Sequence, residues 1–173
     1  MDFKDLIRHV PDFPKKGIGF KDITTALKDS EAFRRAVQEM VEPFRNRAVD
    51  LVVGIESRGF IFGGAAAYEL GTGFVPARKP GKLPARTVRE SYSLEYGTDA
   101  VEIHADAISE GRKILIVDDL LATGGTAAAC VRLVKKLGGD IVGAAFFIEL
   151  DFLDGRRKLG NIPVHTLVRF ASE

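Results

Sequence analysis

Residues 113–137, KILIVDDLLATGGTAAACVRLVKKL, limit the possible folds of this chain more than any other stretch. An apolar run, Ile114 to Val117, meets two carboxylates, Asp118 and Asp119, and then Thr123, Gly124, Gly125 and Thr126. After them Ala127, Cys130, Val131, Val134 and Leu137 share one face at about 3.6 residues per turn, with Gly138 and Gly139 as the stop. The pattern predicts a strand ending at the acid pair, a loop and a helix. Without a Cβ, Gly124 and Gly125 can take left-handed backbone and aim successive N–H groups into one concavity at the positive end of the helix. Such a concavity suits an anion, and the Thr123 and Thr126 hydroxyls add donors worth about 1.5 to 3 kcal/mol each when charge-assisted. Thr123 to Thr126 is thus a candidate phosphate cradle. The acid pair would repel that same anion, so it must face neutral hydroxyls or a hydrated magnesium ion. A glycine-rich turn that merely caps a helix, with Asp as N-cap, fits the same letters.

With 173 residues, 46% of them hydrophobic, the chain is long enough for one buried core and too short for two typical domains, so a single domain over 1–173 is expected. A formal charge of +1 gives no electrostatic reason to expect a nucleic-acid or membrane partner. The single Cys130 allows no internal disulfide, which suits a reducing compartment. MDFKDLIRHV has no signal-peptide core, and no apolar run approaches the roughly 18 to 20 residues of a membrane-spanning helix. A cytoplasmic protein is expected.

Phe3, Leu6, Ile7 and Val10 predict a helix over residues 2–10 that Pro11 ends. FPKKGIGFKDITT, residues 13–25, packs Pro14, Gly17 and Gly19 among large apolar side chains, as expected of an irregular segment covering a core or a ligand. A helix over 31–44, capped by Asp29 or Ser30 and broken near Pro43, reads as core. Leu51 to Ile55 predicts a buried parallel strand; Glu56, Ser57, Arg58 and Gly59 turn it into a helix from Phe60 to Leu70. That turn places charge outside the carboxyl end of a strand, where open α/β sheets collect ligands, although a surface ion pair explains Arg58 almost as well. Phe74 to Arg78 is a third strand. Beyond it, Arg78, Lys79, Lys82, Arg86 and Arg89, with Pro80, Gly81 and Pro84, predict a flexible basic lid over about 79–96 or a solvated loop. Tyr92 to Tyr96 and Val101 to Ile103 alternate like a hairpin. Ile141 to Leu150 and Pro163 to Phe170 predict two more strands, with a solvated turn bearing Arg156, Arg157 and Lys158 between them. His9, His104 and His165 have no metal-ligand spacing. Strands alternating with helices argue a doubly wound α/β fold with a mainly parallel sheet. No GxGxxG or Walker-type motif competes with the 113–137 signal.

VDDLLATGGT, residues 117–126, resembles the signature by which type I phosphoribosyltransferases bind phosphoribosyl diphosphate (PRPP). Residues 13–25 and SLEYG, residues 93–97, are similar to the N-terminal hood and distal loop of the adenine branch of that family. The resemblance implies a small hood, mainly 1–30, on the doubly wound domain. It implies transfer of 5-phosphoribose from PRPP to adenine through an oxocarbenium-like transition state, giving AMP and diphosphate for purine salvage. Asp118 and Asp119 would then hold the ribose hydroxyls and, through PRPP and water, Mg²⁺; Ala122, Thr123, Gly124, Gly125 and Thr126 would hold the 5-phosphate. Glu56, Ser57, Arg58, Lys79, Lys82 and Tyr96 fall to the diphosphate. Gly19, Phe20, Lys21, Arg58 and Leu150 fall to adenine, with Phe20 stacking on the purine and Glu95 orienting or deprotonating it. The family is typically homodimeric. The same fold transferring phosphoribose to another base, or a non-enzymatic PRPP or nucleotide sensor, are the alternatives.

Overall fold

The computed structural model describes residues 2–94 and 96–172. In chain order, a 3-10 turn (Phe3–Leu6) leads to β1 (Arg8–Val10), β2 (Phe20–Asp22), α1 (Thr24–Leu27), α2 (Ser30–Val41), β3 (Leu51–Ile55) and α3 (Gly59–Leu70). Then come β4 (Gly73–Ala77), β5 (Thr87–Ser93), β6 (Thr98–His104), β7 (Lys113–Leu121), α4 (Gly125–Lys136) and β8 (Asp140–Leu150). Two 3-10 turns, Asp151–Leu153 and Gly155–Leu159, connect β8 to the last strand, β9 (Val164–Phe170).

Alternation along the strands builds a two-faced sheet. Its order is β4-β3-β7-β8-β9, and every pairing is parallel. Along β7, Ile114 and Ile116 face one core with Cys130, Leu133 and Val134 of α4; Leu115 and Val117 face the other with Val37 and Met40 of α2 and Phe62 and Ala66 of α3. Fully burying one such side chain is worth about 1.5 to 3 kcal/mol, so the two apolar layers hold the crossovers in place. Phe62 and Phe147 stack at 5.1 Å. Helices on both faces of a parallel sheet are the expected doubly wound α/β arrangement. Asp29 caps α2, accepting the Ala32 N–H at 2.9 Å, and Gly138, with φ +86°, follows the C-cap Leu137 of α4. Cys130 is fully buried, and that burial pushes its thiol pKa up.

Four expectations are corrected. Residues 2–10 are not a helix: after one 3-10 turn, Arg8–Val10 extends and pairs antiparallel with Phe20–Asp22. Nine residues before a proline make a marginal helix, and the second strand supplies the backbone partners that a short helix lacks. The strand does not stop at the acid pair, because β7 continues to Leu121, where it still pairs with Glu149 of β8. The segment 79–96 is not irregular throughout: Thr87–Ser93 is strand β5, registered on β6 from Thr87↔His104 to Ser93↔Thr98. Val88 and Tyr92 of β5 pack against the core, and Arg132 of α4 donates to the Ser91 carbonyl at 3.0 Å, so alternation outweighs the local charge count. Finally, Arg156 is only partly solvated: its side chain is 40% exposed but tied to a buried carboxylate described below, while Arg157 is exposed as expected.

Candidate functional site

The carboxyl ends of β3 and β7, with the turn 56–58 before α3 and the first turn of α4, enclose a cavity of about 480 Å³. Glu56, Ser57 and Arg58 line one wall. Asp118, Asp119 and the run Ala122 to Thr126 line the opposite wall, while Phe20 and Lys79 close the sides. Residues 56–58 and 122–126 reach the cavity because a strand delivers them and a turn frees them from the sheet, whereas the acid pair projects from within β7.

The acid pair sits under strain of charge. Asp119 is 5% exposed, and its N–H donates to Asp118 Oδ1 at 2.8 Å. Burial, and then the Asp119 carboxylate beside it, holds the Asp118 pKa well above the usual carboxylate range. Arg58 brings Nε to 2.7 Å from Asp119 Oδ2, yet the angle leaves that buried oxygen without a hydrogen bond among the described residues. Two crowded carboxylates facing one guanidinium retain acceptor capacity, which sugar hydroxyls or a divalent cation would use. Gly59 makes the crowding possible, since a Cβ there would lie 2.6 Å from Asp118 Oδ1. Arg58 also places its guanidinium carbon 4.9 Å from the centre of the Phe20 ring, whose edge meets Phe13 at a 5.1 Å centroid separation.

On the opposite wall, Gly124 adopts φ +79° and α4 begins at Gly125, so the backbone of 123–126 wraps the positive end of a twelve-residue helix. Behind it lies Gly155. A Cβ on Gly124 would stand 2.3 Å from the Gly155 carbonyl oxygen. Glu56 turns away from the cavity centre to fasten its rim, accepting the Lys79 N–H and pairing with Arg78 at 3.3 Å. Its own N–H donates to the Ala77 carbonyl at 2.9 Å, and the Glu56–Ser57 peptide is cis.

A family model for the phosphoribosyl transferase domain matches residues 23–162. This chain belongs to the phosphoribosyl transferase family. It is 59% identical over 168 residues to the adenine phosphoribosyltransferase of Thermotoga neapolitana, covering 97% of this chain and 99% of that protein. The adenine phosphoribosyltransferase of Desulfitobacterium hafniense is 56% identical over 170 residues, covering 98% of each. Among solved structures, adenine phosphoribosyltransferase from Rhodothermus marinus superposes with a TM-score of 0.94 at 55% identity, covering 97% of this chain and 96% of that one. The Saccharomyces cerevisiae enzyme, complexed with an imino-altritol bisphosphate and adenine, gives 0.90 at 43% identity over 95% and 96%.

In this phosphoribosyl transferase, then, the two walls of the cavity carry Arg58, Glu56, Ser57, the acid pair and Ala122 to Thr126 together, with Phe20 and Lys79 beside them. Gly19, Lys21, Lys82, Tyr96 and Leu150 lie outside that lining. Lys21 is buried instead against Phe170 and 3.1 Å from His9 Nδ1; Tyr96 stands 83% exposed beyond the end of β5; Leu150 packs against the core on the α2 side. Glu95 lies outside the described residues. The sequence reading missed Tyr92 and Asp99, both of which hold Lys79: Nζ donates to Tyr92 Oη at 2.9 Å and to Asp99 Oδ2. Burial opposes the Lys79 charge, but the bonds from Asp99 and Tyr92 outweigh it and raise the pKa. Their signal was the hairpin register, which sets Tyr92 opposite Asp99. Glu149, a carboxylate within an apolar run, was visible in the sequence as an oddity and was passed over.

Proposed function

We propose that this chain is an adenine phosphoribosyltransferase, joining adenine to the 5-phosphoribose of PRPP and releasing diphosphate and AMP. The observation that carries the reading is that the acid pair, the glycine–threonine cradle and Phe20 open on one cavity. Their spacing suits a sugar phosphate laid between acceptors for its hydroxyls and amide donors for its phosphate, with an aromatic ring for a base beside it. The relatives named adenine phosphoribosyltransferase across nearly the whole chain support the choice of base.

Loss of diphosphate leaves positive charge on the anomeric carbon and ring oxygen, so catalysis is stabilisation of separated charge. Asp118 and Asp119 accept the ribose hydroxyls and place negative charge beside that centre. Amides of 123–126 with the Thr123 and Thr126 hydroxyls hold the 5-phosphate. Arg58 faces the departing diphosphate with Ser57 and Lys79, whose release from Asp99 would accompany diphosphate binding. Phe20 stacks on the purine, and Glu95 orients it or takes its proton. Among the described residues no three His, Cys, Asp or Glu gather as a metal cage. The buried Asp119 Oδ2, which lacks a hydrogen bond among the described residues, nonetheless fits a cation held mainly through substrate and water. When bound, Mg²⁺ supplies charge neutralisation for the diphosphate.

The domain reading is one unit over 1–173, with a hood over about 1–30 and a rim loop at 79–86 joined to the hairpin. By analogy with its family the protein is a cytoplasmic homodimer; no helix among the described residues is long and apolar enough to cross a membrane. Light scattering should give twice 18.9 kDa. The deciding assay offers adenine, hypoxanthine, guanine, xanthine and orotate with PRPP and scores diphosphate release. Adenine alone should turn over, and chelation of Mg²⁺ should stop it. Turnover of another base would reassign the substrate, and PRPP binding without turnover on any base would make the protein a sensor.

A further inference from the structure

Among the described residues Glu149 is the most deeply buried carboxylate, at 3% exposure on the penultimate residue of β8. Arg156 meets it with two parallel bonds, Nε to Oε1 at 2.9 Å and Nη2 to Oε2 at 2.5 Å. Thr166 donates to Oε2 at 3.0 Å, and Arg156 Nη1 donates to the Val164 carbonyl at 2.9 Å. The guanidinium therefore ties the end of β8, the start of β9 and the 3-10 turn Gly155–Leu159 to one another. A planar fork with all these partners fixes the turn's position more tightly than a lysine could.

That turn touches one thing of consequence. A Cβ on Gly155 would lie 2.1 Å from the Ala122 carbonyl oxygen and 2.9 Å from the Gly124 amide nitrogen. The backbone of Gly155 thus forms the rear support of the loop whose front faces the cavity. Side chains are excluded on both sides of the contact, so nothing cushions a shift: if the turn moves, the loop moves. Donor groups need placing to within about half an ångström to keep their ligand geometry.

We propose that Arg156 and Glu149 act together as a positioning pair for the phosphate cradle, setting affinity for the 5-phosphate end of PRPP and of AMP without touching either. The proposal rests on the reading of residues 122–126 as that cradle. Neither residue lines the cavity, so neither is catalytic.

The test uses the full-length protein and four variants: Arg156→Lys, Glu149→Gln, Thr126→Ala and, as a control, Arg45→Ala. Arg156→Lys and Glu149→Gln should each raise KM for PRPP, and Kd for AMP by calorimetry, about tenfold, the scale of losing one charge-assisted hydrogen bond. Both should leave KM for adenine and kcat at saturating PRPP within about twofold, the pattern of lost ground-state binding. Glu149→Gln keeps the shape and the Thr166 side of the network, so it reads the proposal even where Arg156→Lys does not fold. Arg45→Ala, which breaks the surface pairs to Glu42 and Glu69 far from the cavity, controls for lost stability alone and should move neither constant. A thermal shift in Glu149→Gln with unchanged KM for PRPP overturns the pair's role. Thr126→Ala separates the two failures: if it raises KM for PRPP and the pair does not, the clamp alone is wrong. If Thr126→Ala also leaves KM unchanged, the cradle reading falls and the proposal with it.

Discussion

The two strand–turn–helix units that face each other across the cavity are built by opposite means. In β3–α3 the turn works through side chains already engaged: Glu56 with the Lys79 N–H and Arg78, Arg58 with Asp119 and Phe20. In β7–α4 the turn works through backbone, a left-handed Gly124 against Gly155, next to a carboxylate pair in which Asp119 Oδ2 lacks a hydrogen bond among the described residues. A wall made of side-chain pairs degrades gradually under substitution. A wall made of backbone fails abruptly, because a side chain at Gly124 is strained by its conformation and meets the Gly155 carbonyl.

Mutations can break or sharpen that contrast. The largest effect belongs to Asp118→Asn combined with Asp119→Asn, expected to lower turnover at least about a hundredfold with the fold intact by circular dichroism. Near-normal kcat would remove the acid pair from the chemistry. Next, Gly124→Ala places a strained residue against the Gly155 carbonyl and should raise KM for PRPP tenfold or more, on the order of a misplaced donor set. A value near that of the parent protein would erase the distinction between the walls. Arg58→Gln, on the side-chain wall, should cost about five- to tenfold in kcat/KM, the scale of one charge-assisted contact.

Asp118→Asn alone tests the crowding through stability. The folded state raises the Asp118 pKa from 3.8, so this residue's favourable contribution is complete below that value and is lost as pH rises through the folded pKa. The amide variant should therefore melt a few degrees higher than the parent near pH 8, about 1 kcal/mol, with the gap closing toward about pH 4. Scanning calorimetry in the absence of Mg²⁺ would show it; a gap independent of pH would mean that the proton is not the cause. The smallest effect is expected from Asp99→Asn, which releases Lys79 from its internal anion and should lower KM for PRPP about twofold, a partly exposed pair being weak.

Much of the wall from Asp118 to Thr126 was legible because its residue types follow period and spacing. The apolar run of β7, the acid pair and Gly124–Gly125 follow one another in sequence as they do in space. Leu51 to Ile55 and Ile141 to Leu150 were legible for the same reason: a strand buried on both faces shows as an unbroken apolar run. Contacts between distant segments were not. Nothing in Gly155 announces that it backs the loop of Gly124, and nothing in Asp99 announces Lys79, since each pairing depends on tertiary register. The first ten residues misled because Phe3, Leu6 and Ile7 satisfy helical spacing while Arg8 to Val10 find their partners in a strand ten residues on. The basic segment misled because its cations hid the alternation of Val88 and Tyr92.

The enclosed thiol of Cys130 turns helix α4 into its own reporter. Buried completely, and held protonated by that burial and then by the nearby Asp118 charge, it is unreactive while the helix lies on the sheet. A small disulfide reagent should therefore label the protein only as fast as the helix lifts away, and ligands seated at the helix's leading end should slow that clock.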